Sequence, residues 1–495
     1  MFRCKICNKL FCPMFRGVFC EGFEMLERLL INIRLWFLTS SRVWIIPIGL
    51  IFFGLISSFL FMSLSIKYAL IGIVGITLTT VSIFFAPYLG VILFYVFAFC
   101  APEELGGIPF SFAIISMTTI AWVLRELDPK KMVKSSQNRL ILVFWITIVI
   151  SAIFAYKREY CLTPLLDFTQ MFIFYMVTIN LINSEKKFHH LVWAIVIIFA
   201  LLSFKGMVSW AMDGISRISG AGGDDDHFAV ALCMALPFSL YILFTERNGF
   251  KQMAAILSFF LIISGIITTI SRGGFMGLGM VLFLFFLKVK KPAFLIIYLF
   301  FFVFIFLVGT LLMPKEYVER MNTISHYQDD GSAMTRIQCY HVGGRMMVER
   351  PITGIGIGNF NKIGHLYDSC IEGLVAHNVF IQVASECGIL GFLAFVGLII
   401  SSMIRSFRLR ERLKTTHDGK KLIPFTHMLE VSFFAYVVCA SFCGSMLSEL
   451  DFEFLYLLIA MGVCLENIAG QKIGNSSQHL TREENGGKMG TAPYF

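Results

Sequence analysis

The sequence predicts an all-α, polytopic integral membrane protein with about 14 transmembrane helices. Of its 495 residues, 57% are hydrophobic and only 15% are charged, against about 25% charged residues in soluble proteins. A soluble domain of this size would need far more polar surface to cover its core. The composition therefore excludes a soluble enzyme, a disordered chain and a nucleic-acid-binding domain.

Apolar runs long enough to cross a bilayer recur along the chain, at about 20 residues per span. Spans one to eleven fall within 43–312 and spans twelve to fourteen within 377–468. The runs are 43–63, 66–86, 88–101, 108–124, 139–156, 162–182, 188–209, 227–245, 252–270, 273–287, 293–312, 377–402, 428–448 and 452–468. The third run is short and is bounded by Pro87 and Pro102, which favours a broken or re-entrant helix.

The distribution of basic residues predicts the orientation. Fourteen spans place both termini on one side, and that side then carries 29 of the 41 Lys and Arg residues. The positive-inside rule makes this side cytoplasmic. We therefore expect a cytoplasmic N-terminal segment at 1–42 and a cytoplasmic, disordered polar tail at 469–495. The net charge of +9 is explained by topology, and no nucleic-acid partner is required.

One outer connection is much longer than the others. Residues 313–376 form a segment of about 64 residues between the eleventh and twelfth spans. Loops longer than about 12–15 residues are usually functional or disordered. Under the predicted orientation this segment faces the periplasm.

Arg272 is a candidate ligand for phosphate at the outer end of two spans. It lies in the stretch SRGGFMGLG at 271–279, whose glycines allow a turn or close helix packing. A guanidinium matches phosphate oxygens in a bidentate manner. The alternative is a loop arginine that extends to the membrane interface.

Further charges cluster at the same predicted face. Lys205 and Arg217 flank the outer end of the seventh span, and Arg158 lies in the loop before the sixth. The acidic run Asp-Asp-Asp-His at 224–227 opens the eighth span. That run favours metal binding or a general base, or simply a solvated helix start, where carboxylates interact well with the helix dipole.

In the long loop, basic residues recur within TRIQCYHVGGRMMVERP. Arg336 and Arg345 are nine residues apart, so on a helix they lie on opposite faces and would serve different partners. A plain surface helix is the alternative interpretation.

His377 and Asn378 open the twelfth span. A neutral imidazole at a wet interface can accept the proton of an acceptor hydroxyl, whereas a structural interface histidine is the alternative. Asn378 either binds sugar or caps the helix. Glu386 is predicted to be buried and to need a partner, and its position nine residues later makes a direct relay to His377 unlikely in helical geometry.

Three ordered motifs carry a family resemblance. His377-Asn378 is followed by nine residues and then by Gly388 and Gly391, SRGGFMGLG contains a Ser-Arg-Gly element, and RPITGIGIGNF occupies 350–360. In these motifs, over roughly residues 66–468, the chain resembles the O-antigen ligase and polymerase superfamily. The segment 204–238 also resembles O-glycosylation ligases associated with exosortase systems, although that subgroup usually has Lys-Gly-Gly and Asp-Asn-Asn where this chain has Lys205-Gly206-Met207 and the Asp-Asp-Asp-His run.

The resemblance implies a metal-independent glycosyltransferase without a cofactor, embedded in the bacterial inner membrane with its active site facing the periplasm. The donor would be a glycan on undecaprenyl diphosphate, and the acceptor a lipid A–core, a glycan or a protein hydroxyl. His377 would be catalytic, and the substrate-binding residues would be Arg272, Arg336, Arg158, Lys205, Arg217, Arg345 and Asn378.

Two other functions compete with this one. A polymerase of the same superfamily would differ chiefly in its acceptor. A lipid flippase or polysaccharide transporter belongs to another class, which tends to have inverted repeats and charges at the membrane midplane. Here the charges cluster at one outer face and no repeat is visible, which favours chemistry at that face.

Overall fold

The computed structural model of the protein describes residues 66–100, 110–213, 225–288, 331–415, 418–442 and 449–487. All regular structure in these ranges is helical, so the predicted all-α class is confirmed. The predicted spans 43–63 and 293–312 and the N-terminal segment 1–42 lie outside the described residues. Arg217 and Asp224 also lie outside them.

The helices follow the chain order of the predicted spans. They are α1 (Ile66–Phe85), α2 (Pro87–Cys100), α3 (Phe110–Arg125), α4 (Ser136–Ile153), α5 (Leu162–Leu181), α6 (Glu185–Asp213), α7 (Asp225–Thr245), α8 (Gly249–Thr268), α9 (Arg272–Lys288), α10 (Gly331–Glu349), α11 (Phe360–Ile363), α12 (Val379–Lys414), α13 (Ile423–Phe442) and α14 (Glu449–Gly487). Four short 3₁₀ turns stand between them, at Arg158–Tyr160, Gly364–Leu366, Ser369–Ile371 and Asp418–Leu422.

Eight helical segments in the described ranges are long and apolar enough to cross a membrane. Three further apolar helices, at Gly75–Phe85, Pro87–Cys100 and Ser111–Arg125, are shorter. The second of these is α2, and it begins at Pro87, a residue suited to the first helical position because it has no N–H to leave unsatisfied.

Two helices extend further than the sequence analysis predicts. The helix α12 continues through a basic stretch to Lys414 rather than ending near 402. The helix α14 continues to Gly487, into the tail that we expected to be disordered. Both extensions are polar and contain no proline, and polarity alone does not interrupt backbone hydrogen bonding in a helix.

The chain divides into two compact units. The first contains residues 1–90 and 116–131. In it, Arg125 donates a hydrogen bond to the carbonyl of Phe84 at 2.6 Å, and its guanidinium lies 5.2 Å from the Phe84 ring centre. Gly90 faces Thr118 so closely that an added Cβ would lie 2.1 Å from the threonine Oγ1. The small residue therefore allows these two segments to pack.

The second unit contains residues 91–115 and 132–495, and three of its helices form the centre. The apolar windows of α7, α13 and α14 are 83%, 67% and 72% buried, whereas those of α4, α5, α8 and α12 are at most 39% buried. The helix α7 packs against α6, α8, α9, α13 and α14. The flanking helices keep large apolar side chains exposed, among them Leu257 and Leu393, as expected for surfaces that face lipid tails.

The described part of the long segment 313–376 has a small core of its own. Apolar side chains from α10, the loop after it, α11 and the 3₁₀ turn at Ser369–Ile371 pack together with Ala376. The buried members are Cys339, Val342, Met346, Ile355, Phe360, Ile363, Ile371 and Ala376. Burial raises the pKa of the Cys339 thiol to about 11, so this cysteine acts as a small apolar group. The segment therefore forms a folded cap next to the N-terminus of α12.

Candidate active site

Several chain segments that carry the sequence motifs meet at one end of the second unit. They are the N-terminus of α7, the turn between α8 and α9, the helix α10, the N-terminus of α12 and the C-terminus of α13. Hydrogen bonds from side chains to other side chains and to backbone carbonyls join them. One site therefore contains residues of the acidic run, the Ser-Arg-Gly element and the His-Asn motif.

Ser271 and Asp226 connect the turn after α8 to the start of α7. The Ser271 hydroxyl donates to Asp226 Oδ1 at 2.5 Å, and the Gly274 amide donates to the Ser271 oxygen at 3.2 Å. Ser271 thus caps α9 in the way that serine caps helices generally. Arg272, the next residue, is the first of α9 and is half-buried.

The glycines of the Ser-Arg-Gly element permit this close arrangement. A Cβ on Gly274 would lie 2.6 Å from Ala229 Cβ, and one on Gly277 would lie 2.0 Å from the Cys439 sulfur. Larger residues would push α9 away from α7 and α13. The predicted role of these two glycines in close helix packing is confirmed, whereas Gly279 faces open space.

Arg336 completes the group from α10. Its Nη2 donates to Asp226 Oδ2 at 2.5 Å, and its Nη1 donates to the Phe442 carbonyl at 3.4 Å at the end of α13. The Arg336 side chain is 21% exposed and that of Asp226 is 11% exposed. Asp226 therefore holds the Ser271 hydroxyl with one oxygen and the guanidinium with the other. This buried bridge replaces the interpretation of the acidic run as only a solvated helix start.

The side-chain amide of Asn378 forms hydrogen bonds with both its oxygen and its nitrogen. Its Oδ1 accepts hydrogen bonds from the amides of Phe380 and Ile381 at 3.0 and 3.2 Å, and its Nδ2 donates to the Ser441 carbonyl at 2.8 Å. Of the two predicted roles for Asn378, sugar binding and helix capping, these contacts show capping. Asn378 ties the start of α12 to the end of α13, one residue from the carbonyl that Arg336 contacts.

His377 stands just before this cap in an unusual backbone conformation. It is half-buried and has a φ of 49°. Within the described ranges, the non-glycine residues with positive φ are His377 and Ile270, and Ile270 directly precedes Ser271. Each such conformation costs about 1–3 kcal/mol and persists where the surrounding contacts fix it. Residues with this kind of backbone strain cluster at functional sites.

The motif PITGIGIGNF at 351–360 packs against the first turns of α12 through backbone hydrogen bonds. The helix α12 is kinked at Gly388, where φ is 65°. The Ile355 amide donates to the Ser385 carbonyl at 2.9 Å, and the Gly356 amide donates to the Glu386 carbonyl at 3.0 Å. A Cβ on Gly354 would lie 2.2 Å from the Glu386 carbonyl oxygen. The glycines of the loop and of α12 are therefore required by backbone that approaches backbone.

Glu386 finds its partner in the same loop. The side chain is fully buried, and its Oε1 accepts a hydrogen bond from the Phe360 amide at 3.1 Å. The predicted burial and the need for a partner are confirmed. Glu386 therefore fastens the loop to α12 rather than contacting His377.

The remaining candidates lie in different surroundings. Arg345 is exposed and donates to the Tyr367 carbonyl at 3.2 Å, so Arg336 and Arg345 do serve different partners, as their spacing predicts. Arg158 is exposed in its 3₁₀ turn, and Lys205 is exposed on α6. Tyr367 itself donates to Glu349 at 2.5 Å, and partial burial together with that carboxylate raises the pKa of its hydroxyl.

The sequence analysis did not anticipate the bridge at Asp226. A signal was present, because the acidic run stands at the start of an apolar helix, but nothing in the sequence linked Asp226 to Arg336. Among the residues that the structure describes, no group of three or more His, Cys, Asp or Glu side chains is arranged to hold a metal ion. The candidate site is thus built from arginine, serine, carboxylate and histidine.

The fold and this site together define a multi-pass α-helical membrane protein with a polar, conformationally strained centre at one end of its helices. The model of the O-antigen ligase family, Wzy_C, matches residues 257–396. That range contains Ser271, Arg272, Arg336 and His377, and it supports placing the chain in the O-antigen ligase superfamily. No curated protein gives a significant match to the chain. The segment 204–238, which carries the exosortase resemblance, lies outside the matched range.

Proposed function

We propose that the protein is a membrane-embedded glycosyltransferase of the O-antigen ligase type. It transfers a glycan from an undecaprenyl-diphosphate-linked donor to a hydroxyl of a lipid, glycan or protein acceptor, at the outer face of the bacterial inner membrane. The observation that carries the proposal is the joining of Arg336, Asp226 and Ser271 beside Arg272. The family match over 257–396 supports the same class of activity.

Arg272 and Arg336 are the proposed ligands of the donor diphosphate. A diphosphate leaving group accumulates negative charge as its bond to the sugar breaks, and guanidinium groups remain charged at any relevant pH. Asp226 fixes the orientation of Arg336 through a 2.5 Å hydrogen bond. A guanidinium has five N–H donors, so this bond leaves others to meet phosphate oxygens.

His377 is the proposed general base. In the reaction, the acceptor oxygen forms a bond to the anomeric carbon, the bond from that carbon to the diphosphate oxygen breaks, and the hydroxyl proton passes to the imidazole. Asn378 is a positioning residue here, since it fixes the backbone directly after His377 through its contacts with α12 and α13. The undecaprenyl tail stays in the bilayer while the glycan remains in water.

Arg158, Lys205, Arg217 and Arg345 are proposed as outer contacts along the path of the glycan or diphosphate. Arg158, Lys205 and Arg345 are exposed, which suits transient contacts with a long substrate better than a role at the reacting carbon. Loss of any one of them should therefore reduce transfer less than loss of Arg272 or Arg336.

Transfer by purified protein in lipid nanodiscs tests the proposal. An undecaprenyl-diphosphate-linked glycan is supplied with three separate acceptors: a lipid A–core, a second lipid-linked glycan, or a protein substrate. Transfer to the first or third acceptor supports a ligase, and chain extension of the second supports the polymerase alternative. Absence of glycan transfer to all acceptors, with uptake or flipping of the intact donor, would contradict both. Retention of activity in excess EDTA tests the proposed metal independence.

A further inference from the structure

A second site lies at the other ends of the helices that build the candidate active site. Asp226 stands in the first turn of α7 and Ser271 follows the end of α8, whereas a cleft of about 1470 Å³ is lined by residues around the end of α7 and the start of α8. A 20-residue helix is about 30 Å long. The cleft therefore lies at the opposite ends of these helices from the candidate active site, and its ligand is independent of the proposed function.

The mouth of this cleft is basic. Four lining side chains are cationic, Lys186, Arg247, Lys251 and Lys421, against the carboxylates of Glu185 and Glu246. Both carboxylates already have basic partners, because His189 lies 2.7 Å from Glu246, Lys251 lies 3.3 Å from it, and Lys472 pairs with Glu185. These contacts also hold the pKa of Glu246 below its usual value despite partial burial, so the group stays ionised. The surplus charge of the mouth is positive.

The cleft becomes apolar along the helices. On α6 the lining runs from His190 to Ile197, and on α8 from Lys251 to Ser258. Seven residues of helix span about 10 Å, so the charged mouth leads into a groove that runs about 10 Å along α6 and α8. Ile197 at the far end is 48% exposed. The groove therefore opens sideways toward lipid.

An aromatic side chain stands where the two regions meet. Trp193 lines the cleft and donates its indole N–H to Glu246 at 3.4 Å. Tryptophan with a polar handle is typical of the level of lipid head groups. A basic mouth, an indole at head-group level and an apolar groove below it match a ligand with a negative head and a hydrocarbon tail.

We propose that this cleft binds the phosphate head group of an anionic phospholipid, with an acyl chain in the groove between α6 and α8. A soluble phosphate shares the head-group chemistry but would make no use of the groove. All four basic residues are exposed, and Lys251 already pairs with Glu246. We assign the head-group contact to Lys186 on α6 and Arg247 in the turn between α7 and α8.

Fluorescence quenching of the full-length protein in detergent tests this assignment. The probe is phosphatidylglycerol with brominated acyl chains, compared with brominated phosphatidylcholine. The signal is the part of the tryptophan fluorescence that Trp193→Phe removes. We expect saturable quenching that needs less phosphatidylglycerol than phosphatidylcholine. Each basic residue near a membrane surface contributes about fivefold to affinity for anionic lipid, so Lys186→Gln with Arg247→Gln should raise the half-saturating concentration about 25-fold.

The matched control removes two other exposed basic residues. Arg408→Gln with Arg412→Gln takes the same charge from α12, outside the cleft lining, and should leave the half-saturating concentration unchanged. Gel filtration verifies that all variants remain folded. Equal quenching by the two lipids, or equal effects of the two double variants, would overturn the proposal. Complete displacement of the lipid by millimolar inorganic phosphate would overturn the lipid assignment in favour of a soluble phosphate.

Discussion

Arg336 on α10 donates a 2.5 Å hydrogen bond to Asp226 at the start of α7, across 110 residues of sequence. The same carboxyl group accepts from Ser271 at 2.5 Å. One carboxylate thus orders an arginine of the segment 313–376 and the serine that precedes Arg272. The positions of Arg336 and Ser271 are both fixed by hydrogen bonds to this carboxylate. The geometry of the proposed diphosphate site therefore depends on Asp226.

The effects of Asp226 and Arg336 on glycan transfer should be coupled, because the two side chains are in direct contact. Asp226→Asn and Arg336→Gln should each reduce glycan transfer at least tenfold, and the double variant should lose less than the product of the two. Residues in direct contact usually show interaction energies of about 0.5–3 kcal/mol. The measurement is a double-mutant cycle on transfer rate. Glu411→Gln is the control, since its pair with Lys414 is exposed and such pairs contribute little.

Arginine should not be replaceable by lysine at the diphosphate. We expect Arg272→Lys to lose most of the transfer activity that Arg272→Ala loses, because an ammonium is a point charge without the planar fork that fits two phosphate oxygens. Arg408→Lys on exposed α12 should retain normal transfer. Full activity of Arg272→Ala at normal protein levels would exclude diphosphate binding by Arg272 and leave it as a loop arginine that extends to the membrane interface.

The junction between the loop at 351–360 and α12 should be sensitive to a single methyl group. Gly354→Ala places a Cβ 2.2 Å from the Glu386 carbonyl oxygen in a backbone with φ of 73°, so we expect a loss of stability of about 1–3 kcal/mol. Gly344→Ala is the matched control, because Gly344 lies within α10 with nothing near its Cβ position. That change should stabilise the protein by about 0.5–1 kcal/mol. Thermal unfolding in detergent compares them, and equal stability of the two variants would contradict the packing described.

The cap at Asn378 offers a graded test of its positioning role. Asn378→Ala removes both the cap and the bond to Ser441, and loss of such a cap costs about 0.5–2 kcal/mol. Asn378→Asp keeps the acceptor for the two helix amides but loses the donor to Ser441. We expect Asn378→Asp to be more stable than Asn378→Ala, because it keeps the helix cap, and to reduce transfer, because its carboxylate cannot donate to the Ser441 carbonyl. The comparison separates capping from the connection to α13. Normal transfer by Asn378→Ala would remove Asn378 from the site.

The membrane class and the motif positions were predictable from the sequence, because apolar runs and the spacing around His377 are local features. Contacts between distant segments were not. The link from Asp226 to Arg336 requires knowledge of how α7 and α10 meet, and the kink at Gly388 depends on a loop that inserts against α12. The helical continuation of α14 to Gly487 was missed because polar composition was taken to indicate disorder.

In the proposed reaction, His377 accepts the proton of the acceptor hydroxyl. General-base catalysis typically contributes about 10²–10⁴-fold. The most direct measurement is glycan transfer by His377→Ala in nanodiscs, beside binding of the lipid-linked donor, with His365→Ala as the control because that histidine is exposed in the same outer segment. We predict that His377→Ala loses transfer by about 10²–10⁴-fold and still binds donor, while His365→Ala behaves as wild type. Wild-type transfer by His377→Ala would exclude His377 as the general base, and loss of donor binding would move His377 into the diphosphate site.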